Sequence, residues 1–112
     1  MPPSLSTHVL DTANGLPAEG VPVEVQVLER EWETVAVGRT NADGRCPGLV
    51  PEGRFGPGRW RIRFDVSPYF AARGQACFFP YAEIVFDVAD LSRHHHVPLL
   101  VSPFGYSTYR GS

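Results

Sequence analysis

The chain has 112 residues, 43% of them hydrophobic, and a formal net charge of −2 at pH 7. That length fits one domain, residues 1–112, with a core that needs neither metals nor disulfides to hold it. The near-neutral charge gives no field to recruit nucleic acid or an acidic membrane, and no apolar run approaches membrane-spanning length.

Taken in chain order, Met1-Pro2-Pro3-Ser4 lacks the charged and apolar regions of a signal peptide, so the chain reads as soluble and intracellular, with a cytoplasmic location expected. A first strand is predicted over Thr7 to Asp11. His8 would share a strand face with Leu10 and point away from Val9. Ala13-Asn14-Gly15 then carries turn chemistry. Between Val21 and Val27, valine falls at every second position, separated by Pro22, Glu24 and Gln26, which predicts a strand with one buried face. A weaker strand follows over Thr34 to Arg39, then the turn Asn41-Ala42-Asp43-Gly44 with Arg45 behind it. A short strand is expected at Gly48 to Val50. Phe55-Gly56-Pro57-Gly58 is a turn, because Pro57 and the absence of a strand-to-helix junction exclude a phosphate loop. Trp60, Ile62, Phe64 and Val66 alternate with Arg61, Arg63 and Asp65, and Ala82, Ile84, Phe86 and Val88 alternate with Glu83, Val85 and Asp87. One brief helical turn is expected near Pro68 to Arg73. Strands at Val97 to Ser102 and Tyr106 to Tyr109 close the chain. Gly and Pro occur 11 times each and interrupt every helical period. Many short strands at regular spacing predict an all-β fold, a two-sheet antiparallel sandwich with one short helix.

The reactive residues are scattered. Cys46 and Cys77 form no CxxC pair or zinc spacing and read as two unpaired, mostly buried thiols in a reducing compartment. His94, His95 and His96 form a run. In a strand, His94 and His96 would share a face roughly 6.5–7 Å apart, but no third ligand is near in sequence, so no metal is expected. All the positive side-chain charge is arginine, because the chain has no lysine. Arginine suits planar, bidentate recognition of anions. On strands, however, the alternating arginines read as a solvated face. No nucleophile elbow or catalytic triad is visible. From the residues alone, the reading stops at a soluble β-sandwich with histidines and arginines of open purpose.

Three segments together resemble the 5-hydroxyisourate hydrolase family, also called transthyretin-related proteins. They are Leu5-Ser6-Thr7-His8-Val9-Leu10-Asp11-Thr12 with Gly15-Leu16-Pro17-Ala18, then Thr40-Asn41-Ala42-Asp43-Gly44-Arg45, and then His96 through Ser112, which ends Tyr109-Arg110-Gly111-Ser112. Phe79-Pro80-Tyr81 and Trp60 to Phe64 also fit, so the likeness covers essentially the whole chain. The resemblance implies a transthyretin-type (prealbumin-like) sandwich assembled as a homotetramer, a dimer of dimers, with active sites in a central channel. It implies catalytic roles for His8, Arg45, His96 and Ser112. Arg45, Tyr109, Arg110, Gly111 and Ser112 would bind a small purine-derived substrate, and no cofactor, metal, nucleic acid or membrane is implied. Relatives of this kind occur in cytoplasm, peroxisomes and periplasm. The implied reaction is hydrolysis of 5-hydroxyisourate to 2-oxo-4-hydroxy-4-carboxy-5-ureidoimidazoline, with a histidine activating water and arginine stabilising charge. Which histidine is the base stays open. The rival readings are a non-enzymatic carrier of a small aromatic ligand and a monomeric β-sandwich interaction module.

Overall fold

The structure, a computed structural model, describes residues 4–90 and 92–112. The alternating segments form two four-stranded sheets. β1 (Ser4–Asp11), β2 (Leu16–Pro17), β7 (His94–Ser102) and β8 (Gly105–Thr108) form the first, in the order β2-β1-β7-β8. β3 (Pro22–Leu28), β4 (Trp32–Arg39), β5 (Gly58–Phe64) and β6 (Ala82–Val88) form the second, in the order β4-β3-β5-β6. The second sheet is antiparallel throughout, whereas in the first β1 and β7 pair in parallel. The helix α1 (Ser67–Ala71) links β5 to β6.

Burial follows the period of two. Val23, Val25, Trp60, Ile62 and Phe64 from one sheet meet Val9, Val97, Leu99 and Val101 from the other, all nearly or fully buried. This apolar contact supplies most of the stabilisation, at about 25 cal/mol per Å² removed from water. The outward positions of the second sheet hold the strand arginines. Arg59 pairs with Asp87, with Nε 2.7 Å from its carboxylate, and Arg63 pairs with Asp65 at 3.0 Å. Arg61 lies over the Trp32 ring and Arg63 over Tyr81, with guanidinium carbons 4.3 and 3.8 Å from the centroids. These arginines are engaged within their own sheet.

Several boundaries differ from the sequence reading. Gly48 to Val50 is not a strand: Gly48 sits at φ +66°, Leu49 N–H bonds back to Cys46 O at 3.2 Å, and Pro47 and Pro51 flank the segment. β5 stops at Phe64, and Val66 caps α1 while staying fully buried. β1 and β7 both begin three residues early, because Ser4, Leu5 and Ser6 pair with His94, His95 and His96. Cys46 and Cys77 are free and half-buried, and desolvation raises the Cys46 pKa.

Asp11 closes β1 in the core, 1% exposed. Its carboxylate accepts the Tyr69 hydroxyl at 2.8 Å, the Asn14 amide at 2.7 Å, and the backbone N–H groups of Ala13 and Asn14 at 3.0 Å each. Burial pushes the Asp11 pKa up, but these donors together outweigh it and hold the value below the usual range. Tyr69 is pushed up to about 12 by burial and by the neighbouring carboxylate. One charged acceptor thus ties α1 and the β1–β2 turn to the sandwich. Asp11→Ala should lower stability by about 2–4 kcal/mol, since it strands a buried hydroxyl and removes charge-assisted bonds. The depressed folded pKa sets the sign with pH. The contribution is present above the unfolded value of about 3.9 and is lost as pH falls through the folded pKa. Urea midpoints of both proteins at pH 7 and pH 3 measure this: the gap should narrow in acid, and a gap unchanged by pH would refute the charged role.

Candidate functional site

The parallel pairing of β1 with β7 sets Ser6 beside His96 and His8 beside Pro98. The pleat then turns Ser4, Ser6 and His8 of β1, and His94 and His96 of β7, to the sheet face away from the core, opposite buried Thr7, Val9, Val97 and Leu99. His8 and His96, distant in sequence, thereby share one half-buried surface.

Arg45 reaches this surface through its turn. The Asn41 side-chain oxygen accepts the N–H groups of Asp43 and Arg45 at 2.9 and 3.1 Å, and Asn41 N–H donates to Arg45 O at 2.8 Å. Gly44 sits at φ +76°, and its carbonyl accepts Val9 N–H at 2.8 Å. A Cβ at Gly44 would stand 2.4 Å from the Val9 carbonyl oxygen, so only glycine lets the turn press against β1. The result is an antiparallel bridge between Arg45 and His8. Among the described residues Arg45 has no carboxylate within ion-pair distance, and it is exposed. Its charge is therefore available to a ligand.

The C-terminal segment completes the surface. β8 runs antiparallel to β7, and the Thr108 hydroxyl donates to Pro98 O at 2.7 Å. Gly111 N–H then donates to His96 O at 2.8 Å in a second isolated bridge. A Cβ at Gly111 would lie 2.4 Å from His96 Cδ2, so the backbone here rests directly on the imidazole. Ser112 follows it and is exposed. Tyr109 and Arg110 are exposed too, and line a cavity of about 230 Å³ with His95, His96, Val97, Thr108 and residues 84–87 of β6. The structure thus gathers His8, Arg45, His96 and Gly111 on one face, while Tyr109 and Arg110 border a space that also touches buried His95.

Burial lowers the pKa of two histidines, His95 inside the sandwich and His96 on the outward face. Desolvation first, and then the charges of Arg45, His94 and His8, hold the His96 pKa below the ordinary histidine value. A neutral imidazole at neutral pH can take a proton from water. The Arg45 guanidinium offers fixed donors to a planar anion. No group of three or more His, Cys, Asp or Glu residues is placed to hold a metal among the described residues. The reading of the residues passed over Ser6, whose hydroxyl lies 2.7 Å from His96 Nδ1. The matched parity of Ser6-x-His8 and His94-x-His96 is the only local signal for it, and it acquires meaning only once the two strands are known to be neighbours in register.

The chain is similar to known proteins over nearly its whole length. Residues 5–111 match the family model described as the HIUase/Transthyretin family. The chain is 47% identical over 111 residues to 5-hydroxyisourate hydrolase of Mus musculus, covering 96% of this chain and 94% of the mouse protein. The solved structure of Klebsiella pneumoniae 5-hydroxyisourate hydrolase superposes with a TM-score of 0.85 at 38% identity, over 97% of this chain and 99% of that one. Sea bream transthyretin in complex with thyroxine superposes at 0.91 with 34% identity, over 96% of this chain and 93% of that one.

Proposed function

The chain belongs to the HIUase/Transthyretin family, and from that premise we propose that it is a 5-hydroxyisourate hydrolase acting in the degradation of urate to allantoin. The observation that carries this reading is the convergence of His8, Arg45 and His96 on one sheet face, with the Gly111 backbone against the His96 ring. Sea bream transthyretin with thyroxine defines the competing carrier reading. A face with three imidazoles and an unpaired guanidinium suits polar chemistry better than an apolar hormone.

In this mechanism Arg45 binds the planar, anionic ring and steadies the oxygen of the carbonyl under attack. His96, kept neutral by burial and by the cation beside it, removes a proton from water as the water adds to C6, the carbonyl carbon of the N1–C6 ring amide. The tetrahedral intermediate then expels the ring nitrogen, which takes a proton, with His8 placed to donate it or to orient the water. The product is 2-oxo-4-hydroxy-4-carboxy-5-ureidoimidazoline. Tyr109, Arg110 and Ser112 belong to the substrate-binding rim. Tyr109 and Arg110 reach that role in a homotetramer, where facing copies of this polar sheet face enclose a central channel.

The test is the decay of 5-hydroxyisourate made in the cuvette from urate and urate oxidase. The protein should speed decay well beyond the uncatalysed rate. A folded protein that leaves the rate at the blank, yet binds thyroxine, would replace this reading with the carrier one.

A further inference from the structure

We propose that Ser6, backed by His94, is a positioning residue that fixes His96 as a base by holding its proton on Nδ1 and leaving the lone pair on Nε2. This rests on the hydrolase reading above and deepens it.

The Ser6 hydroxyl lies between two imidazoles, 2.7 Å from His96 Nδ1 and 2.6 Å from His94 Nε2. The Ser4 hydroxyl lies 2.5 Å from the other His94 nitrogen, Nδ1. All four groups sit on the outward face of β1 and β7, brought together by the pairing of Ser4 with His94 and Ser6 with His96. A hydroxyl carries one proton, so with neutral rings Ser6 donates to one imidazole and accepts from the other. Two hydrogen-bonded chains satisfy every partner. In one, His96 Nδ1–H donates to Ser6, Ser6 donates to His94 Nε2, and His94 Nδ1–H donates to Ser4. In the other every bond is reversed, and His96 carries its proton on Nε2.

The rest of the ring selects between them. Ser6 occupies Nδ1 and the Gly111 backbone covers Cδ2, so the free edge of His96 is Nε2 and Cε1. Water activation at this free edge needs a lone pair there, and only the first chain leaves one on Nε2. The first chain therefore prevails, and it presents the atom that water activation needs. This is the general logic by which a hydrogen bond at one imidazole nitrogen sets the state of the other.

Two measurements test it. Nitrogen-15 NMR of the histidine rings near pH 7, with His96 assigned by comparison with His96→Gln, should show His96 protonated on Nδ1. A wild-type His96 protonated on Nε2 would overturn the proposal, whatever the enzyme's activity. In the decay assay, Ser6→Ala should lower kcat roughly tenfold or more with KM within about twofold, while Ser6→Thr, which keeps the hydroxyl, should retain most of the rate. Ser6→Ala should also move the His96 signal away from the Nδ1–H form. A folded Ser6→Ala protein with wild-type kcat and an unchanged pH profile would overturn the positioning role. A wild type that fails to speed decay would sink the hydrolase reading instead, while the NMR result still decides the tautomer.

Discussion

His96→Ala is expected to lower kcat by about 10²- to 10⁴-fold, the usual contribution of a positioned general base, without unfolding the sandwich. His96 is half-buried on the outward face of β7, whereas the core is built from its neighbours Val97, Leu99 and Val101. Removing its ring therefore leaves the inter-sheet packing intact, and circular dichroism should show the same strand signal. The pH dependence follows with a definite sign. His96 must be neutral to accept a proton, so kcat/KM falls as pH drops through its pKa. Burial, Arg45, His94 and His8 all push that pKa down, which places the acid limb below the ordinary value of about 6.5. Blank-corrected rates between pH 5 and pH 8 measure this, and the residual rate of His96→Ala should lack the limb. A variant with wild-type turnover would remove His96 from the mechanism.

A chain ending at Thr108 is expected to lose about 10²-fold or more in kcat/KM while its unfolding midpoint stays close to that of the full chain. Residues 109–112 contribute little burial, since Tyr109, Arg110 and Ser112 are exposed and Gly111 holds one backbone bond to His96. That bond is worth about 1 kcal/mol of stability. The same segment covers the His96 ring, borders the site and supplies its rim. Gly111→Ala probes it more finely. The added methyl meets His96 Cδ2 at 2.4 Å and cannot be accommodated without displacing either the ring or the segment. Misplacement of a reacting group by about 1 Å is enough to cost on the order of 10²-fold in rate. Full turnover by the shortened chain would make the segment structural only. Loss of activity in both variants, with stability retained, would establish it as part of the site.

Much of the fold was readable from local pattern. The alternation of Ala82, Ile84, Phe86 and Val88 defined β6 with the bounds the structure has, and the valines of β3 marked their buried face. A period of two reports which side of a strand faces the core, and this is a local property. Where pattern failed, a distant partner made the decision. Gly48 to Val50 has strand-like residues but no neighbour to pair with, and its prolines and left-handed glycine turn it instead. Leu16–Pro17 is too short to show a period, yet it pairs with Leu10 and Asp11. His94 to His96 reads as a polar run, yet extends β7 because Ser4 to Ser6 lies alongside.

The candidate site divides in the same way. Resemblance named His8, Arg45, His96 and the ending, but the residues alone gave no reason to join them. Local sequence determined the alternation that aims His8 and His96 out of the core, and the Asn41–Gly44 turn that presents Arg45. Only the tertiary structure decided that β1 and β7 run parallel in the register that sets Ser6 beside His96. It also decided that Gly44 and Gly111 let two backbones approach more closely than any side chain permits, and that Arg45 stands near enough to lower the His96 pKa. The physical reason is range: strand periodicity and turn chemistry act between near neighbours, whereas strand pairing, desolvation and charge coupling depend on segments that only the packed core brings together.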